Sequence, residues 1–175
     1  MLIIGYPIRP FIKTTVDIDT MINVYHDDAV LRTFILFVQT ARSAFRYADA
    51  HLYRKAHLSI IKLIALQALV SNNGVMIPTA IAEWTQTERH NITTLIRRME
   101  KEGLVTIERN TVDRRNVNVT LTDKGREVHS RAMPVAREVV DQIMLSMTED
   151  DSNLLEKVLT GMRQSAEHGL AKVTK

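Results

Sequence analysis

The stretch that most limits what this chain can fold into is IPTAIAEWTQTERHNITTLIRRMEKEGLVTIERNTVDRRNVNVTLTDKG, Ile77 to Gly125. Its middle places Ile92, Leu95, Ile96 and Met99 at the spacing of one buried helical stripe, and Thr87 stands ahead of it as a residue able to cap a helix. The opposite face is left to Arg89, His90, Thr93, Thr94 and Arg97, with Asn91 beside them. These are cations and short hydrogen-bonding groups, the kind that contact phosphates and base edges. Gly103 stops the helix, Leu104 to Glu108 reads as a short strand, Arg109 to Arg115 as a polar hairpin tip, and Asn116 to Leu121 as a returning strand. Upstream, Pro78 suits a first helical turn, and Ile81 and Ala82, with Trp84 as an open candidate beside them, supply a face to pack on the next helix across a short polar turn, Thr85 to Thr87. The predicted order is helix, turn, helix, two-stranded wing.

A supporting helix joined by a short turn to a second helix is the helix-turn-helix arrangement, whose second helix enters the major groove. Here the sequence resembles the MarR family of winged-helix transcription regulators. The likeness is carried by Ile81-Ala82, Ile92 to Met99, Glu100-Lys101-Glu102-Gly103-Leu104-Val105, Asp113-Arg114-Arg115 with Val117 and Val119, and Leu121-Thr122-Asp123-Lys124-Gly125. Singly these are weak; in this order over about fifty residues they rarely coincide by chance. Flanking helices extend the likeness to residues 26–170.

The resemblance implies a mainly α fold with a small β-wing: a winged helix-turn-helix with N- and C-terminal dimerisation helices. It implies a homodimer on a pseudo-palindromic double-stranded DNA operator, a repressor role, and a small-molecule effector held between the winged unit and the dimer helices. The expected DNA-binding residues are Arg89, His90, Asn91, Thr93, Thr94, Arg97, Arg114 and Arg115. His90, Thr93 and Thr94 are assigned to base edges, Arg89 and Arg97 to bases or phosphates, and Arg114 to the minor groove or its phosphates. Other readings stay open: a solvated face for Arg89 and Arg97, and an Asp113–Arg115 pair that pins the wing to itself. One departure stands out. Thr-Glu-Arg-His-Asn at 87–91 occupies a place where small Ser and Thr residues are more usual, and Glu88 would repel phosphate unless it complements the helix N-terminus.

Charge agrees with this placement. The chain carries +3 overall, but Lys and Arg outnumber Asp and Glu by seven to five from Gln86 to Arg115 and trail by eight to nine from Asp123 to Lys175. With no cysteine among 175 residues, disulfides, thiolate zinc sites and cysteine nucleophiles are excluded. No catalytic constellation, phosphate loop or metal-ligand spacing is present, so no enzyme activity, cofactor or metal is expected. His51 and His57 lie six apart and cannot share a helix face, with no carboxylate at ligand spacing. No apolar run reaches the ~20 residues that span a bilayer, and a cytoplasmic protein without membrane contact is expected.

The remaining chain divides into an N-terminal arm (1–25), a dimerisation helix (26–55), the winged unit (56–124) and C-terminal dimerisation helices (125–175). The arm carries apolar residues that favour lying along the body or a partner subunit, with a loose tail as the alternative. Asp27 or Asp28 can start the first helix, where Phe34, Val38, Ala41, Phe45, Ala48 and Leu52 form a seam for a subunit interface or an internal core. Leu58 to Val70 reads as a buried helix closed by Ser71-Asn72-Asn73-Gly74. After Gly125 the chain is helical again, Pro134 predicting a bend near Ser130 to Pro134. Glu149-Asp150-Asp151-Ser152 opens a last helix with a face of Leu154, Leu155, Val158, Leu159, Met162, Ala166 and Leu170. The rival functions are a winged-helix protein-interaction adaptor without DNA binding and a ligand-binding enzyme on the dimer helices.

Overall fold

The computed structural model describes residues 27–109 and 117–173. The predicted arm and the hairpin tip with Arg114 and Arg115 lie outside them. The chain separates into two compact units, residues 1–43 and 44–175.

In the first unit, helix α1 (Ala29–Ala56) begins. Asp28 starts it as expected: its Oδ1 accepts the Leu31 N–H at 2.9 Å, the geometry of an N-cap. Val30, Phe34, Leu36 and Phe37 are exposed.

In the second unit, α1 continues with Ala48 and Leu52 buried while Phe45 stays exposed, so the predicted seam is core only at its C-terminal end. Helix α2 (Ile60–Ser71) is the centre of the unit, burying Leu63, Ala65, Leu66, Ala68 and Leu69. Its nearly continuous apolar sequence follows from being covered on several sides. Asp49 Oδ1 accepts the Ile60 N–H at 2.9 Å and so fixes its start. At its end the Gly74 N–H reaches Leu69 O at 2.8 Å.

Among the described residues three strands are present where two were expected. Strand β1 (Val75–Met76) joins β2 (Val105–Arg109) and β3 (Val117–Leu121) in an antiparallel sheet ordered β1-β3-β2. Val75 opposes Thr120, and β2 and β3 pair from Val105 with Leu121 to Arg109 with Val117. Two residues give no period to read, and β1 exists only because β3 has a free edge beside it.

Helix α3 (Pro78–Thr85) carries Pro78 in its first turn and buries Ile81, Ala82 and Thr85. Trp84 does not join that face. It is 50% exposed, because on so short a helix the core side is already taken by its neighbours. Helix α4 (Arg89–Lys101) follows, then the β2–β3 hairpin, then α5 (Asp123–Ile143) and α6 (Glu149–Val173). Helix α5 starts before Gly125 rather than after it, since Thr122 Oγ1 accepts the Gly125 N–H at 3.0 Å as a cap. The same hydroxyl donates to Gly103 O at 2.7 Å and so joins the end of α4 to the start of α5. A Cβ on Gly125 would overlap the Leu104 carbonyl oxygen, and this close approach requires glycine. Pro134 lies inside α5, which continues to Ile143. Thr148 and Asp151 cap α6 reciprocally, with Thr148 N to Asp151 Oδ2 at 3.0 Å and Asp151 N to Thr148 Oγ1 at 3.2 Å. No residue of α6 is buried.

Candidate nucleic-acid interface

The geometry of α4 is set at both ends. Gln86 ends α3 in the left-handed conformation (φ 51°), and the Thr87 N–H returns to Ala82 O at 3.0 Å, which turns the chain within two residues. Thr87 does not cap α4. Its hydroxyl donates to Thr85 O at 3.2 Å inside the turn, and Glu88 takes the cap position without a side-chain cap hydrogen bond. At the other end Gly103 (φ 74°) closes a Schellman motif, with Gly103 N to Glu100 O at 2.8 Å and Leu104 N to Met99 O at 2.9 Å. The last turn is tied down by Lys62 Nζ, 2.6 Å from Glu102 Oε1, and by Lys124 Nζ donating to Glu102 O at 2.6 Å. A helix held in this way presents its outer side as a rigid surface.

Ile92, Ile96 and Met99 are buried on one side of α4. At about 3.6 residues per turn, His90, Thr94, Arg97 and Lys101 fall on the opposite side, with Thr93 and Asn91 on its two flanks. All six are exposed. The structure therefore brings His90, Asn91, Thr93, Thr94 and Arg97 to one outward surface, and adds Lys101, whose position four residues after Arg97 was readable as the next turn of the same face. Arg89 opens the helix by its backbone, its side chain being outside what is described, as are Arg114 and Arg115. Beyond Glu88, α4 carries Arg89, Arg97, Arg98 and Lys101 against the single acid Glu100, a local cationic excess suited to a polyanion.

Two groupings were not visible in the sequence. The Glu88 carboxylate stands 3.3 Å from His90 Nδ1, both side chains being mostly exposed. On α5, Glu138 meets His51 Nε2 at 3.1 Å and also Lys55, so His51 does have a carboxylate neighbour, supplied from far along the chain. The Lys55 and His51 hydrogen bonds hold the Glu138 carboxyl below the usual carboxylate range. Among the described residues no group of three His, Asp or Glu side chains is arranged to hold a metal ion, and no helix is long and apolar enough to cross a membrane.

The MarR family model matches residues 58–116, which run from the head of α2 to the hairpin tip. Over that stretch the chain is similar to the MarR family. It is 26% identical over 128 residues to the HTH-type transcriptional regulator MgrA of Staphylococcus aureus, a match covering 72% of this chain and 86% of that protein. Among solved structures it is similar to Sco3205, a MarR family transcriptional regulator from Streptomyces coelicolor in complex with DNA (TM-score 0.71, 25% identity, 78% of this chain and 84% of that one). It is also similar to the ligand-free organohalide-sensing transcriptional regulator RdhR (TM-score 0.71, 25% identity, 79% and 81%). The winged helix-turn-helix flanked by N- and C-terminal helices is the fold that this chain shares with these regulators.

Proposed function

We propose that this protein is a sequence-specific double-stranded DNA-binding transcription regulator. It acts as a homodimer and represses by occupying a pseudo-palindromic operator. The observation that carries this reading is the two-sided character of α4. Its apolar side is locked in the core through Ile92, Ile96 and Met99, while His90, Asn91, Thr93, Thr94 and Arg97 are exposed together. A duplex-bound relative with the same fold supports it. In this reading residues 56–124 read the operator, and residues 26–55 and 125–175 form the dimer, which sets two recognition helices ~34 to 36 Å apart. His90, Thr93 and Thr94 approach base edges, Asn91 lies at their flank, Arg89 and Arg97 hold bases or phosphates, and Arg114 and Arg115 serve the wing. Similarity to an organohalide-sensing regulator supports release by a small-molecule effector.

The test is fluorescence anisotropy of the full chain on duplexes from its own promoter region, with salt titration. Wild-type binding should weaken steeply with salt, and Arg97→Ala should weaken binding to all sequences with a shallower salt dependence. Thr94→Ala should instead lose about 1 to 3 kcal/mol at one base position. A chain that binds no duplex while its outward helix face captures a protein would support the adaptor reading in its place.

A further inference from the structure

Glu88 is out of character at the head of a helix that meets a polyanion. Its side chain is 77% exposed and, although it occupies the cap position of α4, it accepts no hydrogen bond from the helix N–H groups. Its Oε2 lies 3.3 Å from Nδ1 of His90, itself 72% exposed, so the carboxylate is held toward the outward side of the first turn. Behind it, Glu83, Gln86 and Thr87 line the same shallow groove at the α3–α4 corner. In a helix-turn-helix the N-terminal residues of the second helix are those that meet base edges.

The chemistry available to a carboxylate there is narrow. It repels phosphate, and Glu83 in the same groove adds to that repulsion. It also repels guanine and thymine, whose major-groove polar atoms are acceptors. Adenine offers an amine, but with the N7 lone pair beside it, whereas cytosine offers the N4 amine without such a neighbour. Resting on the duplex-binding reading above, we propose that Glu88 is a base-reading residue that accepts a hydrogen bond from the N4 amine of a cytosine in the major groove. His90 is its positioning residue. The carboxylate lowers affinity for unrelated duplexes by repulsion and raises discrimination at one base pair of each half-site.

The experiment is selection from a random-sequence duplex library with the full-length wild type, Glu88→Gln, Glu88→Ala and His90→Ala, followed by anisotropy on single-base variants of the enriched site. Wild type should require cytosine at one position per half-site by about tenfold over other bases, the usual scale of one lost base contact. Glu88→Gln should move that preference toward adenine, because an amide pairs with the N6 and N7 edge. Glu88→Ala should reduce the preference to under about twofold while binding unrelated duplexes more tightly, a reversal expected when a repulsive charge is removed. His90→Ala should weaken the cytosine preference at that position. Glu88 variants that select the wild-type sequence at every position would overturn the proposal. A wild type that enriches no duplex would instead overturn the DNA-binding reading beneath it.

Discussion

Helices α4 and α6 are both amphipathic, and a single copy of the chain treats them in opposite ways. Helix α4 sinks Ile92, Ile96 and Met99 into the core and leaves only its polar side in water. Helix α6 is longer and buries nothing: Leu154 and Leu170 are more than half exposed and Val158 nearly so. Periodicity requires that an apolar face be covered, but it does not say by what. For α4 the cover is local, since α3 and the strand after it are close in sequence. For α6 the cover in the proposed assembly is a second copy of the chain. In that proposed assembly one stripe fixes the orientation of a reading surface, and the other brings two such surfaces together.

This contrast can be broken at several points. Leu66→Ala in α2 should have the largest effect, a loss of about 2 to 5 kcal/mol in urea unfolding, because its side chain is fully buried beneath the winged unit. Leu154→Ala makes the same chemical change on α6 and should leave the dissociated chain within about 0.5 kcal/mol of wild type. It should also weaken dimerisation in sedimentation velocity by about tenfold, for loss of about 1.4 kcal/mol of apolar contact. If dilute Leu154→Ala lost as much stability as Leu66→Ala, α6 would have a partner within its own chain and the contrast would be lost.

Smaller effects sharpen the account of how α4 is held. Gly103 sits at φ 74°, so Gly103→Ala should cost about 1 kcal/mol in thermal unfolding, the usual penalty of a side chain in the left-handed region. The smallest effect expected is that of pH. His129 on α5 is partly buried with Nε2 2.8 Å from Gln67 Oε1, and desolvation by burial lowers its pKa below the ordinary histidine value of 6.5. The unfolded chain then binds more protons than the folded one as pH falls below that value. The contribution of neutral His129 is complete above it and is lost as pH falls through it toward the lower folded value. The melting temperature should therefore fall between pH 7.5 and pH 5.5, and His129→Gln should flatten that dependence. An equally steep profile in the variant would assign the loss to other groups.

Much of the winged unit was legible because its signals are short-range. The stripe Ile92, Ile96 and Met99, with Leu95 half-buried beside it, and the stop at Gly103 depend on residues within one or two helical turns, and the structure has each of them, as it has the cap at Asp28 on α1. The exposure of His90, Asn91, Thr93, Thr94 and Arg97 followed from the same periodicity. The expectations that failed were those decided by backbone geometry that residue type does not specify. Thr87 was a plausible cap by residue type, but the left-handed turn at Gln86 directs its hydroxyl back to Thr85 O, and Glu88 takes the position. Trp84 was an open candidate for the face of Ile81 and Ala82, and the geometry of α3 turns it outward.

What the sequence determined by itself was the alternation of apolar and polar faces, the places where the backbone must turn, and the location of the cationic helix. Local sterics and the 3.6-residue period act over a few residues and are written into neighbouring side chains. The tertiary structure alone decided that Val75 and Met76 become a strand, that Thr122 bridges Gly103 and Gly125, and that Glu138 meets His51. Each of these depends on which surfaces and carbonyl groups remain unpartnered after the helices have packed, a quantity that no window along the chain contains.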